Sequence, residues 1–281
     1  MTSLFRHLRV HQVFGANTDV GKTILTTALV RASAKRGKDV FYLKPVSTGA
    51  LEDADDHHVK RYTNEFLGKV HPECLFRYDE PVSPHLAAKM KEGESEEGSI
   101  PTDETFITSI ADRIRYYAKK SNGPSHIPTL SGTTQADAYR PLFLPTVLIG
   151  DSKLGGISTT ITAYESLLLR GYIIDAVLLF QDEYYRNGEY LKPYFEERGA
   201  FLAIVRPPPP RLSNSTENFI STEGYYKTIT SAEEGDEAGL VVDHLDVRHK
   251  ARIEELESMP RRTLDTVWWP FVQHGQRHEE V

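Results

Sequence analysis

The run Gly15-Ala16-Asn17-Thr18-Asp19-Val20-Gly21-Lys22-Thr23 restricts the fold of this chain more than any other stretch. Residues 10–14 before it are mostly apolar and read as a strand. After it, Ile24, Leu25, Ala28, Leu29 and Ala32 recur at helical spacing as far as Lys35, and Gly37 sits where a helix C-cap belongs. Residues 40–43 read as a second strand, ending in Lys44-Pro45. Strand, glycine loop, helix and strand form the opening of a parallel α/β sheet. A tight loop at a strand end turns successive N–H groups inward, and the helix N-terminus adds its dipole, so the backbone holds phosphate oxygens. In such a loop Lys22 neutralises the β- and γ-phosphates and the Thr23 hydroxyl ligates Mg²⁺. The strict pattern has Gly seven places before Thr23; here Ala16 stands there and Gly15 one place earlier. A chance match in a turn is the alternative, and the strand-before, helix-after context weighs heavily against it.

The remaining chain continues this rhythm. Residues 55–67 read as a polar helix and 84–90 as a short one, while the charged, Gly-bounded 92–98 is a solvated loop. Phe106, Ile107, Ile110, Ile114 and Tyr117 mark one face of a helix over 103–119. Strands follow at 145–150, 173–180 and 201–205, with helices at 157–170, 190–198 and 245–258. The nearly continuous apolarity of 173–180 suits a central parallel strand covered on both faces. The expected fold is therefore one large α/β domain, a parallel sheet with helices on both faces.

A formal net charge of −7 argues against a general nucleic-acid or anionic-membrane binder, and no apolar run is long enough to span a bilayer. A single cysteine, Cys74, rules out an internal disulfide or a cysteine metal cluster. The start carries Arg6, His7 and Arg9 with no acid before Asp19. It resembles the tail of a mitochondrial presequence; a short basic N-terminus, residues 1–9, in a cytoplasmic protein reads the same residues equally well.

Lys44-Pro45-Val46-Ser47-Thr48-Gly49 lies at the carboxyl end of the second strand, the edge where open α/β sheets collect ligands. Together with the glycine loop it resembles dethiobiotin synthetase, the ATP-dependent ligase that closes the ureido ring in biotin synthesis. Further segments agree in order: Ser83-Pro84-His85-Leu86-Ala87-Ala88, Ser131-Gly132-Thr133-Thr134-Gln135-Ala136-Asp137, and the stretch from Leu144 to Ser158 that includes Gly150-Asp151-Ser152-Lys153-Leu154-Gly155-Gly156. The resemblance covers about residues 10–260 and implies a P-loop NTPase-like fold. It implies that 7,8-diaminopelargonic acid takes up CO₂ as a carbamate, which attacks the γ-phosphate of ATP before the second amine displaces phosphate. Positioning and charge neutralisation are the main catalytic tasks in such a transfer.

Residue by residue, the resemblance implies Lys22 and Lys44 on the phosphates, Thr18 and Asp19 facing phosphates and diamine, and Thr48 beside the reacting centre with Ser47 as neighbour. Gly15, Asn17, Val20, Gly21, Thr23 and Ile24 complete the nucleotide loop, and Gln181 and Pro207 lie towards the base. The backbone N–H groups of Gly156, Ile157 and Ser158 match those that hold the substrate carboxylate at a helix N-terminus, next to a homodimer interface. For Mg²⁺ the family uses the loop Thr, here Thr23, and two acids. One acid falls on the Asp55-Asp56 pair, and Asp56 is chosen because His57-His58-Val59 then best fits the helix.

The other acid is a Glu in a loop after a buried strand, and about ten residues of that region have no counterpart before Pro128. Asn122-Gly123-Pro124 reads as a turn, so one central strand is expected to be missing. A splice variant or gene-model error accounts for such a gap, and its consequence would be a chain that binds nucleotide with impaired ligation. A P-loop ATPase switch of the partitioning-protein type is a further alternative, against which the Lys44–Gly49 and Gly155–Ser158 segments speak. Residues 261–281, with Trp268-Trp269-Pro270-Phe271, resemble the opening of diaminopelargonic acid aminotransferase; without its Schiff-base lysine no aminotransferase activity is expected.

Overall fold

The computed structural model describes residues 8–80, 103–120, 125–127, 135–233 and 235–258. Seven strands, β1 (Val10–Gly15), β2 (Val40–Thr48), β3 (Val70–Tyr78), β4 (Ser125–Ile127), β5 (Thr146–Ile149), β6 (Ile174–Phe180) and β7 (Leu202–Val205), form one sheet in the order β3-β2-β4-β1-β5-β6-β7. Every pairing is parallel. Helices α1 (Lys22–Lys35), α2 (Asp55–Tyr62), α7 (Ser215–Ile229) and α8 (Glu237–Ser258) cover one face, and α3 (Asp103–Lys120), α5 (Gly156–Leu169) and α6 (Asn187–Glu196) the other; α4 (Gln135–Ala138) is a single turn. Successive residues of a strand point to opposite faces, so Val147 and Ile149 of β5 pack under α1 while Leu148 packs under α5 and α6. Both faces are thus dry, which is why β6 is apolar from Ala176 to Phe180.

The expectation of a missing central strand is corrected here. Ser125–Ile127 occupies the slot between β1 and β2, pairing with Val10–Gln12 on one side and Phe41–Tyr42 on the other. Left empty, that slot would strand backbone N–H and C=O groups of two buried strands, and three extended residues suffice to bridge their amino-terminal halves. The turn assigned to Asn122-Gly123-Pro124, the helix at 84–90, the loop at 92–98 and the aminotransferase-like 261–281 lie outside the described residues.

Strand β2 runs on to Thr48 instead of stopping at Leu43, passing through Pro45. Pro45 lies beyond the two β2 residues that β4 pairs, where its missing N–H is tolerated. Leu43 and Val46, three apart, both enter the cluster with Phe106 and Leu75. The alternation therefore slips at Pro45, and Lys44 and Ser47 share the opposite face.

At the amino-terminal end of the sheet, α8 is tied down by buried charge. Asp175, wholly buried, accepts from His11 Nε2 at 2.9 Å and from Arg252 at 2.6 and 2.9 Å, while its carbonyl accepts from His244 at 3.0 Å. Arg9, also buried, bonds the Val242 carbonyl at 3.3 Å and pairs with Asp246 at 3.2 Å.

Candidate functional site

Strands β2, β3 and β4 lie to one side of β1 and β5–β7 to the other, so the loop after β1 sits where an open sheet offers a crevice to ligands. Two glycines shape that loop. A Cβ on Gly15 would meet Lys22 Cδ at 2.7 Å and Nζ at 2.8 Å, so only glycine lets the lysine lie across the strand end. Gly21 has φ +85°, and a Cβ there would stand 2.2 Å from the Phe180 ring. Gly21→Ala is therefore expected to distort the loop and weaken ATP binding by tenfold or more, roughly the effect of 1–3 kcal/mol of backbone strain. Calorimetric titration with ATP checks this.

Val20 is buried in the core and Ile24 packs against the same cluster, so apolar contacts hold both ends of the turn. Ala16 N–H donates to the Ile149 carbonyl at 2.8 Å. Asn17 Oδ1 accepts from Thr18 N–H at 2.8 Å, and its Nδ2 donates to Asp151 Oδ2 at 3.2 Å, tying the loop to the end of β5. Asp19 adopts φ 52°. Lys22 Nζ donates to the Asn17 carbonyl at 2.9 Å. Burial, with Lys44 nearby, lowers the pKa of the Lys22 ammonium.

Lys44, on the face of β2 opposite Leu43, reaches the same place. Its Nζ donates to one oxygen of Asp55, and Thr23 Oγ1 donates to the other. Burial raises the Asp55 pKa, but Lys44 and Thr23 outweigh it and hold the carboxyl below its ordinary value. Asp56 does not reach the loop: it is buried and accepts from Arg77 Nη2 at 2.7 Å. The sequence reading chose Asp56 as the Mg²⁺ acid; the first turn of α2 instead turns Asp55, not its neighbour, towards Thr23. A hydroxyl and a carboxylate meeting beside a phosphate loop are hard oxygen donors of the kind Mg²⁺ takes, and Mg²⁺ needs few protein ligands when phosphates supply others. Among the described residues no group of three or more His, Cys, Asp or Glu converges on one point.

Thr48 ends β2, followed by Gly49 at φ 88°. Gln181 follows β6 directly, and Pro207 lies two residues past β7; Gln181 N–H bonds the Val205 carbonyl at 2.8 Å, and its side chain donates to Glu183 at 2.9 Å. At the start of α5, Gly156 N–H is taken by the Lys153 carbonyl at 2.9 Å, which leaves Ile157 and Ser158 as the next first-turn donors. Gly156 is forced by space, since a Cβ would lie 1.9 Å from the Asp151 carbonyl. Asn187, given no role by the sequence reading, holds this turn through bonds to the Asp151 and Lys153 carbonyls at 3.1 and 2.8 Å. An Asn more than thirty residues downstream carries no pattern that could have flagged it.

A parallel sheet with a glycine loop between β1 and α1, and Lys, Thr and Asp meeting beside it, defines a P-loop nucleotide-binding domain. A family model described as an AAA domain matches residues 11–198. The septum site-determining protein MinD of Pyrococcus horikoshii, solved with Mg-ADP, superposes with a TM-score of 0.50 at 14% identity, over 85% of this chain and 96% of that one, a likeness of fold alone. The bifunctional dethiobiotin synthetase/adenosylmethionine-8-amino-7-oxononanoate aminotransferase of Emericella nidulans is 43% identical over 97% of this chain and 35% of its own length. A rice relative (Oryza sativa subsp. japonica), named as a mitochondrial bifunctional dethiobiotin synthetase/7,8-diamino-pelargonic acid aminotransferase, is 30% identical over 93% of this chain and 37% of its length. An ATP-dependent dethiobiotin synthetase of Haemophilus influenzae is 31% identical over 59% of this chain and 87% of its length. The chain belongs to the dethiobiotin synthetase family. It spans little more than a third of the two bifunctional relatives.

Proposed function

We propose that this chain is an ATP- and Mg²⁺-dependent ligase that forms the ureido ring of dethiobiotin from 7,8-diaminopelargonic acid and CO₂. One observation carries the reading: Lys44 and Thr23 converge on Asp55 beside a glycine loop that Lys22 crosses. In this reading Lys22 and Lys44 bring positive charge to the transferred phosphoryl group, and the loop N–H groups orient it. Thr18 and Thr48 flank the reacting centre, and the N–H groups of Ile157 and Ser158 hold the substrate carboxylate. Thr23 and Asp55 hold Mg²⁺, which when bound neutralises developing phosphate charge. Residues 10–260 form the synthetase unit, acting as a homodimer. The plant relative's name and the basic start favour the mitochondrion over the cytoplasm.

The test is release of ADP and phosphate in the presence of Mg²⁺. Release that requires both bicarbonate and the diamine is the expected result. Turnover without the diamine would indicate an ATPase switch instead, and nucleotide binding with no turnover would show that the shortened region before Pro128 had abolished ligation.

A further inference from the structure

Beside the phosphate loop, two acids and two cations are sorted into pairs. Asp55 and Asp56 are the first residues of α2, whose N-cap position is Ala54, a residue with no side-chain cap to offer. Asp55 pairs with Lys44, and Asp56 with Arg77 at 2.7 Å. The two acids are neighbours in the first turn of α2, and the two cations lie on the adjacent strands β2 and β3. The β2–β3 register sets Lys44 beside Cys74 and Ser47 beside Arg77. Asp56 is buried, and each member of its pair keeps a buried atom without a partner, Asp56 Oδ1 and Arg77 Nη1. The Asp56 carboxylate therefore depends on Arg77 for its charge partner.

We infer that Arg77 is a positioning residue for the nucleotide site: by holding Asp56 it keeps that carboxylate from drawing Lys44 away, so that Asp55 and Lys44 stay aimed at Mg²⁺ and phosphate. The inference rests on the proposed role of Asp55. Without Arg77 a buried, unpaired carboxylate would stand one residue from the metal-holding one, to which the Lys44 ammonium is already bonded. Removing one partner of a buried pair leaves such an uncompensated charge, whereas removing both does not.

The test uses the full chain and reads binding, so it gives an answer even where ligation is absent. Dissociation constants for ATP are measured by calorimetry with excess Mg²⁺ and with EDTA, for wild type, Arg77→Met and the double variant Asp56→Asn/Arg77→Met. The expected result is that Arg77→Met weakens ATP binding about tenfold with Mg²⁺ and less than about threefold with EDTA, the size of coupling typical within one charge network. The double variant is expected to return to within about threefold of wild type. Wild-type affinity in Arg77→Met, or equal weakening in single and double variants, overturns the inference. Should Arg77→Met fail to fold, a folded double variant with wild-type affinity supports the inference, and a double variant that also fails overturns it. Loss of diamine-dependent turnover in wild type would count against the ligase reading alone.

Discussion

Replacing Lys22 with alanine is expected to lower kcat for diamine- and bicarbonate-dependent ADP release by about a hundredfold or more, with a smaller change in the KM for ATP. The ammonium lies across the end of β1, against Gly15 and within bonding distance of the Asn17 carbonyl. Bound phosphate would take over that ammonium, so the charge is needed most when the transferred group becomes most anionic. Removing one preorganised donor from such a site costs on the order of 10²–10³ in kcat. The fold should survive, because the side chain is only half-buried and its single described bond is to an exposed carbonyl. Lys22→Arg separates charge from shape: the bulkier guanidinium keeps the charge but cannot pass Gly15 in the same path. Unchanged kcat in Lys22→Ala would remove the lysine from the chemistry.

Much of this site is legible in the chain because it depends on near neighbours. The glycine loop and α1 are contiguous, and their residues sit together for local reasons. Asp55 against Asp56 is different: helical spacing allowed either to face Thr23, and Asp56 is instead taken by Arg77, on a strand that carries no clear pattern. That strand, β3, lies at the sheet edge, carries Pro72 and is half-buried throughout, so it lacks the apolar signature of β6. The short β4 was hidden for a related reason, since three residues give no periodicity to read. Helix α7 carries a local signal: Asn214 caps it, accepting from Thr216 and Glu217 N–H groups, and Asn followed by Glu three residues later is a helix-start signal.

Asp175→Ala is expected to destabilise the protein by about 3–5 kcal/mol, the range for breaking a buried ion pair from one side, measured by urea or thermal unfolding. The carboxylate is fully buried and faces His11 on β1 and Arg252 on α8. Burial pushes the Asp175 pKa up, but the His11 hydrogen bond and Arg252 hold it well below the ordinary carboxylate range. Its removal would leave Arg252 without its described acceptor and remove one of the links between α8 and the sheet. Removing both charges, as Asp175→Ala/Arg252→Leu, should recover part of the loss, because the uncompensated guanidinium goes with it. The same network sets an acid limit. Burial lowers His11 from 6.5 to about 4, so between those values the unfolded chain binds a proton that the folded chain refuses. Stability then rises with pH across that window and is lost as pH falls through it. Asp175, with its depressed pKa, adds a further loss below the unfolded carboxylate value, as its own charge is titrated away. Wild type should therefore lose stability steadily from pH 6.5 downward. In Asp175→Ala the carboxylate part of that slope, which lies below the unfolded carboxylate value, should vanish while the His11 part remains, a difference that unfolding curves at about pH 4 and about pH 2 resolve.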